Sequence, residues 1–362
     1  MRTWYAVGLM SGTSLDGLDI CYVRFSNDFL LWKYDIIDAT TYHYSEVLIQ
    51  KLKNAHTYSV EQIASLDHEL GLLWGEYLKQ KNYPIIDFVA SHGHTVLHNP
   101  KQGYTLQIGN PADIAAIIGV PVVADFRRLD VALKGNGAPL VPCGEKYLFN
   151  SIKYPIFLNL GGIANFSFHP QYSKEVIASD LVFVNIAIND LTQQFFNTTY
   201  DKNGHIAQQG KIISELFQEL EQWHFLLQSP PKSLGREQYE KEIKPILESY
   251  FSFEIENVLH TYYHFVAKTI AKSIKELTKV DLGQQVFVTG GGAHNVFLMD
   301  CIQNYGRAHN IFYFLPDPVL IDYKEALVFA FLGLMRWIHQ KNTINNVTGA
   351  VRNAVTGAIW TP

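Results

Sequence analysis

Cysteine is scarce and scattered: Cys21, Cys143 and Cys301 are the only three in 362 residues. An odd, widely spaced set argues against a disulfide framework or a cysteine-based zinc site, and it suits a reducing compartment. Charge is sparse too, at 17% with a formal net charge of −5, and no long basic run occurs. That argues against a surface for nucleic acid or anionic membrane. The longest apolar run, 326–335, is about half of what crosses a bilayer. The opening Met1-Arg2-Thr3-Trp4 lacks a signal-peptide pattern, so the expectation is a cytoplasmic protein. Apolar residues are plentiful, at 48%, in a chain long enough for two domains.

The most informative stretch lies near the N-terminus. Residues 7–19 form a polar, glycine-bearing turn between the apolar runs 5–9 and 18–25, and read as strand, tight turn, strand. The turn holds Gly12 and Gly17, the hydroxyls of Ser11, Thr13 and Ser14, and the carboxylates of Asp16 and Asp19. Glycines let backbone N–H groups crowd towards a phosphate, hydroxyls add donors, and a carboxylate beside a phosphate serves mainly to hold Mg²⁺. The plain alternative is a hairpin with a solvated tip.

Further along, an apolar run at 85–90 leads into the polar segment Ser91-His92-Gly93-His94-Thr95, read as a loop. A third strand is expected over 29–37, helices over 44–55 and 60–80, and a short strand before Asp125-Phe126-Arg127-Arg128-Leu129-Asp130. The glycine-rich link 134–139 suggests a boundary. It gives a first α/β lobe over 1–135 and a second over 136–339, with 340–362 a candidate to return to the first. The second lobe begins like the first: a strand at 156–160, the turn Gly161-Gly162-Ile163-Ala164-Asn165, and another strand. A third glycine turn, Gly290-Gly291-Gly292, follows the strand at 286–289. Two such lobes imply an interlobe cleft, and three glycine turns at strand ends suit a nucleotide phosphotransferase.

Eight blocks then carry a resemblance: 8–19 (GLMSGTSLDGLD), 91–98 (SHGHTVLH), 105–112 (TLQIGNPA), 122–130 (VVADFRRLD), 135–142 (GNGAPLVP), 159–165 (NLGGIAN), 290–295 (GGGAHN) and 325–332 (EALVFAFL). Together and in this order they resemble the anhydro-N-acetylmuramic acid kinase family, of the actin, hexokinase and sugar-kinase superfamily. The resemblance implies a two-lobe ribonuclease H-like α/β fold and a homodimer. It also implies a reaction of peptidoglycan recycling, in which ATP, water and 1,6-anhydro-N-acetylmuramic acid give N-acetylmuramic acid 6-phosphate and ADP. It places a catalytic base at Asp180, and ATP phosphates with Mg²⁺ against the 12–19 turn. Gly161 and Gly162 would approach from the second lobe, with Gly290–Gly292 near the nucleoside. Typical members follow that aspartate with Thr-Gly-Pro-Gly-Asn. Here Asp180 is followed by Leu181-Val182-Phe183-Val184-Asn185, and both glycines are gone. That keeps open a kinase for another amino sugar, or a catalytically silent nucleotide- or sugar-binding regulator.

The remaining candidates carry two readings each. His92 and His94 are expected at the sugar or in loop hydrogen bonds; with His98 they do not complete a metal set. Arg127 and Arg128 point opposite ways if extended, one to the substrate's carboxylate or a phosphate and the other to a structural acid. Asp130 is that acid or a partner of a sugar hydroxyl. Asn165 and Asn185 are expected at the substrate, and Glu325 contacts the nucleotide side or pairs with a buried cation.

Overall fold

The computed structural model describes residues 2–12, 15, 17–28, 31–149, 156–170, 175–230, 232–279 and 283–362. The chain divides into two compact units. The first comprises Met1–Ser151 and Tyr323–Pro362, and the second Ile152–Asp322.

The first unit is built on strands β1 (Arg2–Ser11), β2 (Gly17–Asp28), β3 (Leu31–His43), β4 (Phe88–Asn99), β5 (Tyr104–Ile108), β6 (Val122–Ala124) and β12 (Ala358–Trp360). They form a seven-stranded sheet of order β12-β6-β4-β1-β2-β3, with β5 paired to β4. β1, β2 and β3 make an antiparallel meander, and β4 and β6 continue it in parallel. The second unit repeats that order with β7 (Ile156–Leu160), β8 (Ile163–Phe168), β9 (Ile177–Phe183), β10 (Gln284–Thr289) and β11 (Ile311–Phe314). Its sheet runs β11-β10-β7-β8-β9, again an antiparallel meander followed by two parallel strands.

Local chemistry explains the covering helices. Ser59 and Gln62 form a reciprocal capping box that starts Val60–Lys81, and Asn82 ends it in the left-handed conformation. Leu66, Leu70, Trp74 and Leu78 recur on one face and are buried against the sheet. Helix Pro318–Trp337 lies very close to the strands, because a Cβ on Gly8 would run into the Ala326 carbonyl. In the second unit, helix Ile255–Thr278 supplies Tyr262, Phe265, Val266 and Ile270 to the core beside β7, β9 and β10. Cys21, Cys143 and Cys301 are buried and unpaired.

Four boundaries differ from expectation. The unit division falls at 151/152, not 135/136, because helix Val141–Leu148 packs within the first unit: a Cβ on Gly144 would strike Val328, and Tyr34 meets Phe149 edge-on. The return to the first unit begins at Tyr323, not 340. Residues 91–95 are not a loop but the middle of β4, which runs on by pairing with β5 from His94↔Ile108 to Asn99↔Tyr104. Strand β9 likewise continues past Asp180 through Leu181, Val182 and Phe183, branched and aromatic residues that favour a strand where glycines would open a loop.

Candidate active site

In open sheets with parallel strands, ligands gather at the carboxyl ends of those strands. At those ends the first unit brings together Ser11 and Gly12 (β1), Ser91 to His94 (β4) and Asp125 to Arg127 (β6), with Leu9↔Ser91 and Ser11↔His94 in register. Of the turn residues singled out from the sequence, Thr13, Ser14 and Asp16 lie outside the described residues. Gly17 opens β2 so close to β3 that a Cβ would meet the Tyr42 carbonyl. The Asp19 carboxylate accepts a 2.6 Å hydrogen bond from the Thr41 hydroxyl on that neighbouring strand.

The two histidines are held differently. Arg127 Nε–H donates to His92 Nε2 at 2.9 Å, and His92 Nδ1 donates to the Gly93 carbonyl at 2.7 Å. An arginine can only donate, so Nε2 carries no proton and His92 is neutral. Burial holds its pKa well below the usual value, and the Arg127 charge adds to that. Both ring nitrogens are therefore spent: His92 orients Arg127, and its nitrogens have nothing left for a sugar. Arg127 also donates from Nη1 to the Gly137 carbonyl at 2.6 Å. Burial lowers its pKa to about 10 against the opposing pull of Glu325 and Asp130. Arg128 is exposed and reaches Asp125 at 3.5 Å, while Arg127 is built into the buried network. The pair opens a helical turn, Arg128–Ala132, and is not extended.

His94 sits in a chain of hydroxyls. Tyr44 donates to Ser11 Oγ at 2.9 Å, and Ser11 Oγ lies 3.0 Å from His94 Nδ1. The order that pairs every proton has Ser11 donating to Nδ1 and leaves His94 with Nε2–H as its donor. Burial pushes the His94 pKa down to about 4, so the ring stays neutral. Asp130 is fully buried and committed internally. It accepts from Gly137 N–H at 2.8 Å and from Thr348 Oγ1 at 2.8 Å, tying the glycine-rich link to the C-terminal segment. That use favours the structural-acid reading over a sugar contact. Glu325 lies near Arg127 and beside the buried ion pair Lys324–Glu145, whose atoms are 2.9 Å apart; burial raises its carboxyl while the two cations oppose it.

In the second unit β7 and β10 are parallel neighbours with Thr289↔Asn159 in register, so their glycine turns lie side by side. Gly290 has φ +87°, and a Cβ there would sit 2.6 Å from Asn159 Oδ1; one on Gly292 would sit 2.9 Å from Leu160. Around Gly291 there is open space. Two of the three glycines are thus needed for close packing, and the third leaves backbone accessible. The carbonyls of the Gly161-Gly162 turn are taken by its own chain: N–H groups of Val184 and Ile186 donate to Gly162 O, and that of Asn185 to Gly161 O. Asn185 Nδ2 lies 3.5 Å from Leu160 O, and Asn165 stands opposite Asn159 on one side and Asp180 on the other.

Asp180 lies on edge strand β9. Its Oδ2 accepts from Leu234 N–H at 2.8 Å and Ser233 Oγ at 3.2 Å, and its own N–H donates to Lys232 O at 3.1 Å. Burial raises its carboxyl above the ordinary range, while those two donors pull it back. Tyr44, Ser233 and Leu234 were missed from the sequence. Ser233 lies 53 positions from Asp180, and no local spacing signals the contact. Among the described residues no three His, Cys, Asp or Glu side chains cluster as metal ligands, and no helix is long and apolar enough to cross a membrane.

The repeated meander-plus-parallel order, with glycine turns at the strand ends, defines the ribonuclease H-like class of actin- and hexokinase-type phosphotransferases. Sequence comparison narrows this. The model of the family "Anhydro-N-acetylmuramic acid kinase" matches residues 4–362. Proteins of that name from Bacillus thuringiensis (strain Al Hakam) and Bacillus cereus (strain 03BB102) are each 34% identical, the first covering 100% of both chains and the second 99%. The chain belongs to the anhydro-N-acetylmuramic acid kinase family. Similar solved structures include an activator of 2-hydroxyisocaproyl-CoA dehydratase from Clostridium difficile with bound ADPNP (15% identity, 92% of this chain and 97% of that one, TM-score 0.44). Another is a ROK family glucokinase from Streptomyces griseus with glucose and AMPPNP (12%, 91% and 98%, TM-score 0.43).

Proposed function

We propose that the chain is an ATP-dependent kinase that opens 1,6-anhydro-N-acetylmuramic acid with water and phosphorylates O6. The observation that carries this reading is the end-to-end match to one family. Asp180 acts as general base. It takes a proton from water as the water oxygen bonds to C1 and the C1–O6 bond breaks. The released O6 then attacks the γ-phosphorus, and ADP leaves with the electron pair of the broken P–O bond. One activated water serves both events, and the rest of catalysis is positioning and charge neutralisation. The raised carboxyl of Asp180 suits a base better than a fully solvated one would.

Arg127, fixed by His92 and the Gly137 carbonyl, is the cation for the substrate carboxylate or a phosphate, and His94 Nε2–H, oriented by Ser11, is a further donor on the same strand as His92. The accessible backbone at Gly291, with Gly290 and Gly292 seating the turn, is the nucleotide-side surface. On this reading the 12–19 turn is the phosphate-side segment. Bound with ATP, Mg²⁺ would offset the charge of those phosphates. A carboxylate beside the phosphates would serve to hold it, and Asp19 is the described carboxylate closest in sequence to the turn. The protein acts as a cytoplasmic homodimer on this reading.

A second reading, a kinase for a different amino sugar, is favoured by one observation: β9 runs straight through 181–183 where typical members turn on glycine. ADP release with Mg²⁺-ATP and 1,6-anhydro-N-acetylmuramic acid, N-acetylmuramic acid or N-acetylglucosamine separates the two. Signal with the anhydro sugar, with oxygen from labelled water at C1, supports the first. Signal from another sugar alone replaces the substrate, and silence on all three with ATP bound points to a regulator.

A further inference from the structure

We infer that Ser233 is a positioning residue that locks the Asp180 carboxylate by Oδ2 and so assigns proton abstraction to Oδ1. The inference rests on the reading of Asp180 as base. Oδ2 receives two donors, Ser233 Oγ at 3.2 Å and Leu234 N–H at 2.8 Å, whereas Oδ1 has no hydrogen bond among the described residues. A carboxylate held at one oxygen by two converging donors cannot rotate freely, which leaves the second oxygen's lone pairs aimed in one direction.

The strap that does this is anchored without the serine hydroxyl. Asp180 N–H donates to Lys232 O at 3.1 Å, Ser179 Oγ lies 3.4 Å from the same carbonyl, and Leu234 is buried in the core of the second unit. Ser233 itself is exposed, so its hydroxyl can be removed while the strap keeps its register. The nearest charged side chain on the strap, Lys232, is turned away. Its Nζ donates to Phe225 O at 2.8 Å and lies 4.3 Å over the Phe225 ring, and the acidic group acting on it is Glu276. Among the described residues Asp180 is therefore tuned by hydrogen bonds and burial, with no paired cation.

The test is Ser233→Ala beside Ser233→Thr, with ADP release measured from pH 4 to 9. Ser233→Ala should lower kcat about three- to tenfold with KM for ATP and sugar unchanged, since one hydrogen bond to a charged group is lost. It should also move the acid limb of kcat/KM to higher pH, because a donor that favours the ionised carboxylate is gone. Ser233→Thr should restore both. An unshifted acid limb with unchanged kcat in Ser233→Ala overturns the inference. A carbon-13 titration of Asp180 in both proteins reads the same effect without substrate. If wild type is inactive on every sugar, the functional reading fails, while a raised Asp180 midpoint in Ser233→Ala still upholds the lock and an unmoved one still refutes it.

Discussion

Lys324→Met should be among the most damaging single changes in the first unit. Lys324 Nζ and Glu145 Oε1 are 2.9 Å apart, and both side chains are 3% exposed. Removing the cation takes the ion-pair partner from a carboxyl buried to 3% exposure, a loss that costs about 3–5 kcal/mol. Little relaxation is available. The helices carrying the pair are so close that a Cβ on Gly144 would lie 2.6 Å from Val328 Cγ1, which limits how far they can shift. The nearby Glu325 carboxylate adds repulsion, for Lys324 and Arg127 are the cations opposing its burial. For a unit of this size the loss lowers Tm by roughly 10 °C, read by scanning calorimetry. Adding Glu145→Gln to Lys324→Met removes the buried carboxyl as well and should recover most of the loss, giving a coupling term of several kcal/mol. A single variant within about 1 kcal/mol of wild type, or a double variant no better than the single, would refute the argument.

Asp180→Asn should retain ATP binding by calorimetry and lose sugar-dependent ADP release by about 10²–10⁴-fold, the usual weight of a general base. Because burial raises the Asp180 pKa, ionisation opposes folding as pH rises past the ordinary carboxylate range, so this variant should melt no lower than wild type at pH 7. Gly290→Ala forces a side chain at φ +87° against Asn159 Oδ1 and should weaken binding of a fluorescent ATP analogue at least tenfold; unchanged affinity would remove this turn from the nucleotide surface. His94, held near pKa 4 when folded against 6.5 when free, contributes stability that is complete above pH 6.5 and falls away as pH drops towards 4. A melting series over that interval should flatten in His94→Asn, and an equally steep series would assign acid sensitivity elsewhere.

The sheet elements were legible because their signals are local. Glycine at 12, 161 and 290 sits where apolar runs end, and the meander of each unit follows from alternating patterns that short-range chemistry decides. The lobe boundary was not, since the packing of Gly144 against Val328 joins residues far apart in sequence. The site was legible as residue types and less so as roles. His92 and Arg127 were both singled out, yet only their contact shows that one holds the other, and Asp130 proves to be absorbed by Gly137 and Thr348. The loss of glycine after Asp180 was visible at once. What replaced it, a continued strand with Ser233 and Leu234 brought to its edge, depends on tertiary pairing that no spacing announces.

The first unit is interrupted and the second is continuous, and this sets an order of assembly. During synthesis every strand of the second unit has left the ribosome before helix Pro318–Trp337 is complete and before β12 exists. Until then β6 is an open edge and the sheet surface at Gly8 is uncovered. The inserted unit can fold as it emerges, whereas the unit translated first is the last to close. Nascent-chain quality control would thus meet an early, sticky first half waiting for its C-terminal clasp, and loss of β12 would expose the β6 edge for pairing with other chains.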